Sequence, residues 1–270
     1  MQADLIHELQ SNFPNPGNRI LRKSGYFRDQ HGIIDRYLRE TENWKPHLEN
    51  CRRFIKDRIR NINVPLVVLG SGWLLDFPEE LIIDVQTPVY LVDIKHPPQI
   101  IKKFNGQKNI HFVTGDVTGG LIAFAYAERK KCNNEELAQR LLHFQLPAFT
   151  AGRVIFVSLN ILSQLDALLC EFLKRKGNLN EEQCRLVRDH IQKDHLKLLQ
   201  MNRHILITDF EEWNYSQSQS KSMMNLIDAS FLPPPEEVWC WKFDHGGYYI
   251  DGKKTDMKVA AFSQLQKRLG

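Results

Sequence analysis

Between residues 64 and 210 the chain alternates short, almost continuously apolar runs with longer amphipathic stretches. The apolar runs are VPLVVLG at 64–70, PVYLVD at 88–93, NIHFVTGD at 109–116, GRVIFVSLN at 152–160 and RHILITDF at 203–210. Runs of this length, rich in β-branched residues and lacking a polar face, predict strands covered on both sides in a parallel sheet. The intervening segments are long enough for crossover helices, whose connections run right-handed. Five such β-α units predict a doubly wound, mostly parallel α/β sheet. Two further runs, VWCWKF at 238–243 and one near 257–262, flank the turn-rich GGYYIDGKK and predict an antiparallel closing pair, which brings the sheet to seven strands.

Upstream of residue 60 the period is helical. Residues 1–12 and about 29–60 read as helix, separated by turns at NPGN and around Gly25, and Ile33, Ile34, Tyr37 and Leu38 form an apolar stripe. Pro46 suits the first turn of a helix carrying Leu48, Cys51, Phe54, Ile55 and Ile59. The expected organisation is a helical cap over 1–60 and an α/β domain over 61–270. Residues 121–145 and 161–200 exceed a single crossover and read as inserted helices, with a fresh helix start at KGNLNEEQ. The polar run from Ser216 to Ser222 reads as a loop that covers a site.

Composition narrows the class. Hydrophobic residues make up 42% and charged residues 25% of the 270 residues, which excludes wholesale disorder and permits a real core. The net charge of +4 is small, but residues 1–60 carry 12 Lys and Arg against 8 Asp and Glu, so the excess lies there. That distribution reads either as a solvated helix face or as a patch for an acidic partner such as RNA. Five scattered cysteines without a CxxC pair read as free thiols in a reducing compartment. No run approaches the roughly 18 apolar residues of a membrane span, and the N-terminus has no leader pattern. The expectation is a cytoplasmic protein without a membrane partner.

Candidate chemistry gathers at the predicted strand ends. Gly70-Ser71-Gly72 follows the first strand, where glycines permit a sharp turn and close approach of a ligand. Asp93, followed by Ile94, closes the second strand 23 residues after Gly70, where a carboxylate can accept hydrogen bonds from ribose hydroxyls. Asp116-Val117 ends the third. Open α/β sheets bind ligands along this edge. The alternative is a glycine pair serving only a tight turn.

In these residues the chain resembles class I S-adenosylmethionine-dependent methyltransferases over roughly 64–262. The resemblance implies that Gly70, Ser71 and Gly72 lie against the methionine moiety and ribose, that Asp93 and Ile94 hold the ribose, and that Asp116 and Val117 meet the adenine. It also implies a seven-stranded sheet with one reversed strand, and S-adenosylmethionine as cofactor. A nicotinamide dinucleotide is the competing ligand, but it needs a third glycine to bring helix and pyrophosphate together, and Leu74 and Pro78 fit that loop poorly.

The fourth strand ends in Asn160, followed by Ser163 and Gln164. These residues either position a substrate by hydrogen bonds, or Asn160 caps the next helix. At the fifth strand end, Asp209 or Glu211 acts as a general base or binds a cationic substrate, unless both are ordinary surface carboxylates. In the N-terminal helices Arg36 and Tyr37 either face an anionic or aromatic substrate or lie at the surface, with Arg36 pairing with Asp35 or Glu40. His96, His190, His195 and His245 have no spacing that supports a metal site. The expected activity is methyl transfer to a small molecule. An RNA methyltransferase and a non-catalytic adenosyl-binding module are the alternatives.

Overall fold

The computed structural model describes residues 2–59, 64–83, 87–146, 149, 154–216 and 221–264. Four helices come first: α1 (Gln2–Asn12), α2 (Asn18–Ser24), α3 (Tyr26–Arg39) and α4 (Thr41–Ile59). The alternating region then runs β1 (Leu66–Leu69), α5 (Glu79–Ile83), β2 (Val89–Asp93), α6 (Pro98–Lys103), β3 (Ile110–Thr114), α7 (Leu121–Glu128), α8 (Asn134–Leu142), β4 (Ile155–Leu159), α9 (Ala167–Arg175) and α10 (Glu181–Gln200). It closes with β5 (Arg203–Tyr215), β6 (Lys221–Asn225), β7 (Glu237–Asp244) and β8 (Lys254–Ser263).

The sheet is mixed and mostly parallel, in the order β3-β2-β1-β4-β5-β8-β7, with β6 paired to β5 off this path. The first five strands are parallel neighbours, and β8 runs antiparallel to both β5 and β7. Eight strands are therefore present among the described residues. The additional one forms because β5 continues to Tyr215 and β6 folds back along it, pairing Glu211 with Asn225 and Tyr215 with Lys221. Part of the anticipated covering loop, Lys221 and Ser222, is thus strand, while residues 217–220 lie outside the described residues.

The nearly continuous apolar runs are explained by two cores. Val67, Leu69, Tyr90, Val92 and Phe156 pack on one face with Leu9, Leu141, Leu173 and Val187. Leu66, Val68, Leu91, Val157 and Ile207 pack on the other with Phe54, Ile55, Phe77 and Ile82. Each fully buried side chain of this size contributes roughly 1.5–3 kcal/mol. The N-terminal helices share both cores: Leu5, Leu9 and Phe13 join the first, and Trp44 to Ile59 join the second. Trp44 Nε1 also donates to Phe243 O at 2.8 Å, tying α4 to β7.

Two local expectations change. The region read as turns around NPGN contains α2, ended by Gly25 in the left-handed conformation (φ 95°). Pro46 lies inside α4, which begins at Thr41 and gives up one internal hydrogen bond there. No described helix is long and apolar enough to cross a membrane.

Candidate functional site

The ends of β1, β2, β4 and β5, covered by one face of α3, enclose a cavity of about 560 Å³, within the ~300–1,000 Å³ of small-molecule pockets. Gly70, Ser71, Gly72, Asp93, Ile94, Asp116 and Val117 all line it, as do Asn160, Gln164, Asp209 and Arg36. Tyr37 does not line it. Its ring instead lies 5.8 Å from that of Trp44, against the second core.

The glycine loop is shaped by backbone bonds. Gly70 N and Ser71 N both donate to Val92 O, at 2.9 and 3.2 Å, which folds the chain across the end of β2. Gly70 has φ 76°, and a Cβ there would stand 1.9 Å from Ile161 Cγ2, so both conformation and space demand glycine. Leu74, at the position of a third glycine, is also left-handed (φ 53°), a conformation costing roughly 1–2 kcal/mol without glycine. Its side chain is buried in the second core, which offsets that cost. The chain therefore curls back at Leu74, and the next helix, α5, begins only at Glu79.

Asp93 sits at the rim of this loop, partly exposed. Its Oδ2 accepts from Gly72 N at 2.8 Å and its Oδ1 from Lys95 N at 3.1 Å. Burial pushes the carboxyl above its ordinary value, against these backbone bonds and the neighbouring His96. Asp116 is only 1% exposed. Its Oδ1 accepts from Thr118 N (2.9 Å) and Thr118 Oγ1 (2.6 Å), and its Oδ2 from Ile122 N (3.2 Å), so it organises the turn into α7 while facing the cavity. The α1–α2 connection crosses this point: Asp116 N donates to Pro14 O at 3.1 Å, and a Cβ on Gly115 would meet Phe13 O at 2.1 Å.

At the far end of the cavity, side chains bond to side chains. Asn160 is left-handed (φ 48°) and does not cap a helix: α9 begins at Ala167 behind Asp166. Its Nδ2 donates to Asp76 Oδ2 at 2.8 Å, and Gln164 Nε2 returns to Asn160 O at 2.8 Å. His47 lies 3.4 Å from Asn160 Nδ2, stacks on Trp241 at 3.9 Å, and accepts from Trp239 Nε1 at its Nδ1. Burial pushes this imidazole down to about 3, so it is neutral.

Asp209 and Glu212 are three residues apart on one strand and would face opposite sides of a regular sheet. A register shift against β8 between Asp209 and Glu211 inserts Phe210 as an extra residue, and both carboxylates consequently line the cavity. Asp209 accepts from Ser163 Oγ at 2.7 Å, and burial, reinforced by Glu212, pushes it up to about 6. Glu212 accepts from Asn214 Nδ2 at 2.7 Å and from the Tyr249 hydroxyl at 3.3 Å. Glu211 points elsewhere, pairing with Trp213 Nε1 and Lys258.

Over the cavity, α3 presents Tyr26, Asp29, Gln30, Ile33 and Arg36 at helical spacing. Gln30 donates to Lys95 O, and Trp73 Nε1 donates to Gln30 O at 2.9 Å. The Arg36 guanidinium stands 4.5 Å from the Phe243 ring centre and 5.1 Å from that of Tyr249. His47, Asp76 and Tyr249 had no distinguishing signal in the sequence, whereas the α3 face could have been read from its i, i+3, i+4, i+7 spacing. Among the described residues no group of three His, Cys, Asp or Glu is placed to hold a metal ion.

No protein-family model matches the chain, and no curated protein is significantly similar to it in sequence.

Proposed function

We propose that the chain is a class I S-adenosylmethionine-dependent methyltransferase acting on a small molecule, built on a doubly wound sheet. The observation that carries this reading is Asp93, a partly exposed carboxylate fixed by Gly72 N and facing a cavity of about 560 Å³. Beside it Ser71 Oγ is buried without a partner among the described residues. Such an atom is costly unless a ligand answers it. The sheet path supports the reading as well: seven strands in sequence with β8 alone reversed match what the resemblance implies, β6 being an addition.

The cofactor would supply an activated methyl group on a sulfonium, and the protein's task is then alignment and exclusion of water. Asp93 would take the ribose hydroxyls, Gly70 to Gly72 would lie along the methionine moiety, and Asp116 with Val117 would close around the base. A dinucleotide fits less well. Its pyrophosphate needs a helix N-terminus straight after the glycine loop, and here the chain turns back at Leu74 before α5. RNA is also disfavoured, because Arg53, Lys56 and Arg58 of α4 are paired with Glu237, Glu80 and Glu236.

The test is S-adenosylhomocysteine affinity by calorimetry for the wild type, Asp93→Ala and Asp93→Asn, with folding checked by circular dichroism. Loss of charge-assisted bonds worth roughly 1.5–3 kcal/mol predicts at least about tenfold weaker binding for Asp93→Ala, and an intermediate affinity for Asp93→Asn. Unchanged affinity in a folded Asp93→Ala would remove the ribose contact. Stabilisation of the wild type by NADH and not by either adenosyl ligand would overturn the assignment. Tight binding without methyl transfer to any acceptor would mark a non-catalytic module.

A further inference from the structure

The end of the cavity away from Asp93 has a charge and a shape that select its occupant. Asp209 and Glu212 face it together because of the extra residue at Phe210, and both are almost fully buried. Trp241, Phe243 and Tyr249 form a continuous aromatic wall beside them, with successive ring centres 4.8 and 5.1 Å apart. This wall already accepts a cation, since the Arg36 guanidinium lies over the Phe243 and Tyr249 rings. Arg36 makes no ion pair within 4 Å among the described residues, and Asp244 and Asp29 act on it only through space, so a single guanidinium stands against the two carboxylates of Asp209 and Glu212. Asn160, 9% exposed, lines the same cavity with its Oδ1 buried and unpartnered among the described residues, and a carbonyl oxygen can only accept a hydrogen bond.

We propose that this end is a cation site and that the methyl acceptor is the amine nitrogen of a small molecule with an apolar or aromatic body, held between Asp209, Glu212 and Asn160 Oδ1 against Phe243 and Tyr249. The proposal rests on the methyltransferase reading and adds the substrate class. An anionic acceptor such as a carboxylate or phenolate would meet two buried carboxylates against one guanidinium that already lies over the Phe243 and Tyr249 rings. An ammonium group is the complementary ligand. For transfer, one ammonium proton passes to the Asp209 carboxylate and frees the nitrogen lone pair. That pair forms the new C–N bond as the C–S bond of S-adenosylmethionine breaks, its electrons remaining on sulfur. The products are a methylated ammonium ion and neutral S-adenosylhomocysteine sulfur, and Asp209 returns its proton to solvent. The Ser163 hydroxyl, bonded to Asp209 Oδ1, leaves Oδ2 to receive that proton.

The test separates the cation site from the cofactor reading by using ligand binding without turnover. Phenethylamine and its anionic counterpart phenylpropionate are titrated calorimetrically into the full chain, first alone and then with S-adenosylhomocysteine. The expected result is that phenethylamine binds at least about tenfold more tightly than phenylpropionate, and that Glu212→Gln and Asp209→Asn each weaken phenethylamine about tenfold. Equal or tighter binding of phenylpropionate, absence of phenethylamine binding, or undiminished binding in both folded variants would overturn the proposal. The wild-type pair of ligands decides the matter even if a variant fails to fold. Selective amine binding in a protein that ignores S-adenosylhomocysteine would retain the cation site and overturn methyl transfer.

Discussion

The two ends of the cavity are built differently. At the Asp93 end, polar side chains are held mainly by backbone: Asp93 by Gly72 N and Lys95 N, Asp116 by Thr118 N and Ile122 N together with the Thr118 hydroxyl. At the Asp209 end they are held by other side chains: Asp209 by Ser163, Asn160 by Asp76, Glu212 by Asn214 and Tyr249, His47 by Trp239. Backbone donors cannot be substituted away, so the first end keeps its geometry through most sequence change. The second can be reshaped residue by residue. On the proposed reading, the first end would hold the cofactor and the second the acceptor.

The largest expected effect tests whether backbone alone shapes the first end. Gly70→Ala introduces a Cβ 1.9 Å from Ile161 Cγ2 at φ 76°, so strain and overpacking together should cost about 3 kcal/mol or more. Gly72→Ala meets nothing nearer than 3.8 Å and bears only the cost of its φ of 39°, about 1 kcal/mol. Denaturant melts of the two variants give the comparison. Equal, small losses would mean that the loop yields to side chains and the contrast between the ends is false.

The same contrast explains how much could be read from sequence. Strands, their two-sided burial, the glycine loop and the acids at the ends of the second and third strands are local patterns, and Asp93 and Asp116 bond within 21 and 6 residues of themselves. The Asp209 end pairs Ser163 with Asp209 across 46 residues, Asn160 with Asp76 across 84 and His47 with Trp239 across 192. No window of sequence contains those partners. The position of Glu212 also depends on a register shift against β8, which no alternation of β5 itself discloses. Arg36 was reached through its helical neighbourhood, while adjacent Tyr37, 100° further round α3, turned to Trp44.

A second, intermediate effect probes the charge at the Asp209 end. Burial raises Asp209 to about 6 from an ordinary 3.8, so the folded state binds this proton more tightly than the unfolded chain. Its ionisation therefore destabilises the fold above pH 6, by about 3 kcal/mol, and the penalty disappears as pH falls from 6 towards 4. Glu212 and Tyr249 face the same carboxyl, and the Arg36 guanidinium lies over the Tyr249 ring. Asp209→Asn keeps an acceptor for Ser163 and removes the charge, so it should stabilise the protein by about 1–3 kcal/mol at pH 7 and by nothing near pH 4. His47 acts oppositely: held at about 3 against an ordinary 6.5, it makes the whole protein less stable as pH falls from 6.5 towards 3. Only the difference between variant and wild type isolates Asp209. A variant less stable than wild type at pH 7 would mean that the buried charge is compensated and the site is not short of a cation.

The smallest effect concerns a side chain that links the glycine loop to α3. Trp73 leaves the glycine loop and donates through Nε1 to Gln30 O at 2.9 Å, while Gln30 reaches Lys95 O beside Asp93. No residue of α3 is fully buried, so this helix is held by such ties and by the half-buried Ile33 and Tyr37 rather than by a core of its own. Segments with few buried apolar contacts open locally at low free energy. Trp73→Phe keeps most of the ring and deletes one neutral hydrogen bond, worth about 1 kcal/mol. Global stability should change by no more than about 1 kcal/mol, because Trp73 is only half-buried against the second core and the phenyl ring keeps part of that contact. Amide hydrogen exchange across Tyr26–Arg39 should instead accelerate about fivefold, with exchange in β1, β2 and β4 unchanged. Adenosyl ligand should suppress that difference, because a ligand spanning Asp93 and the loop restores the hold on Gln30 through Lys95. Exchange in α3 that ignores both the substitution and the ligand would show the helix to be fixed independently of the glycine loop, and would leave the two ends of the cavity mechanically unconnected.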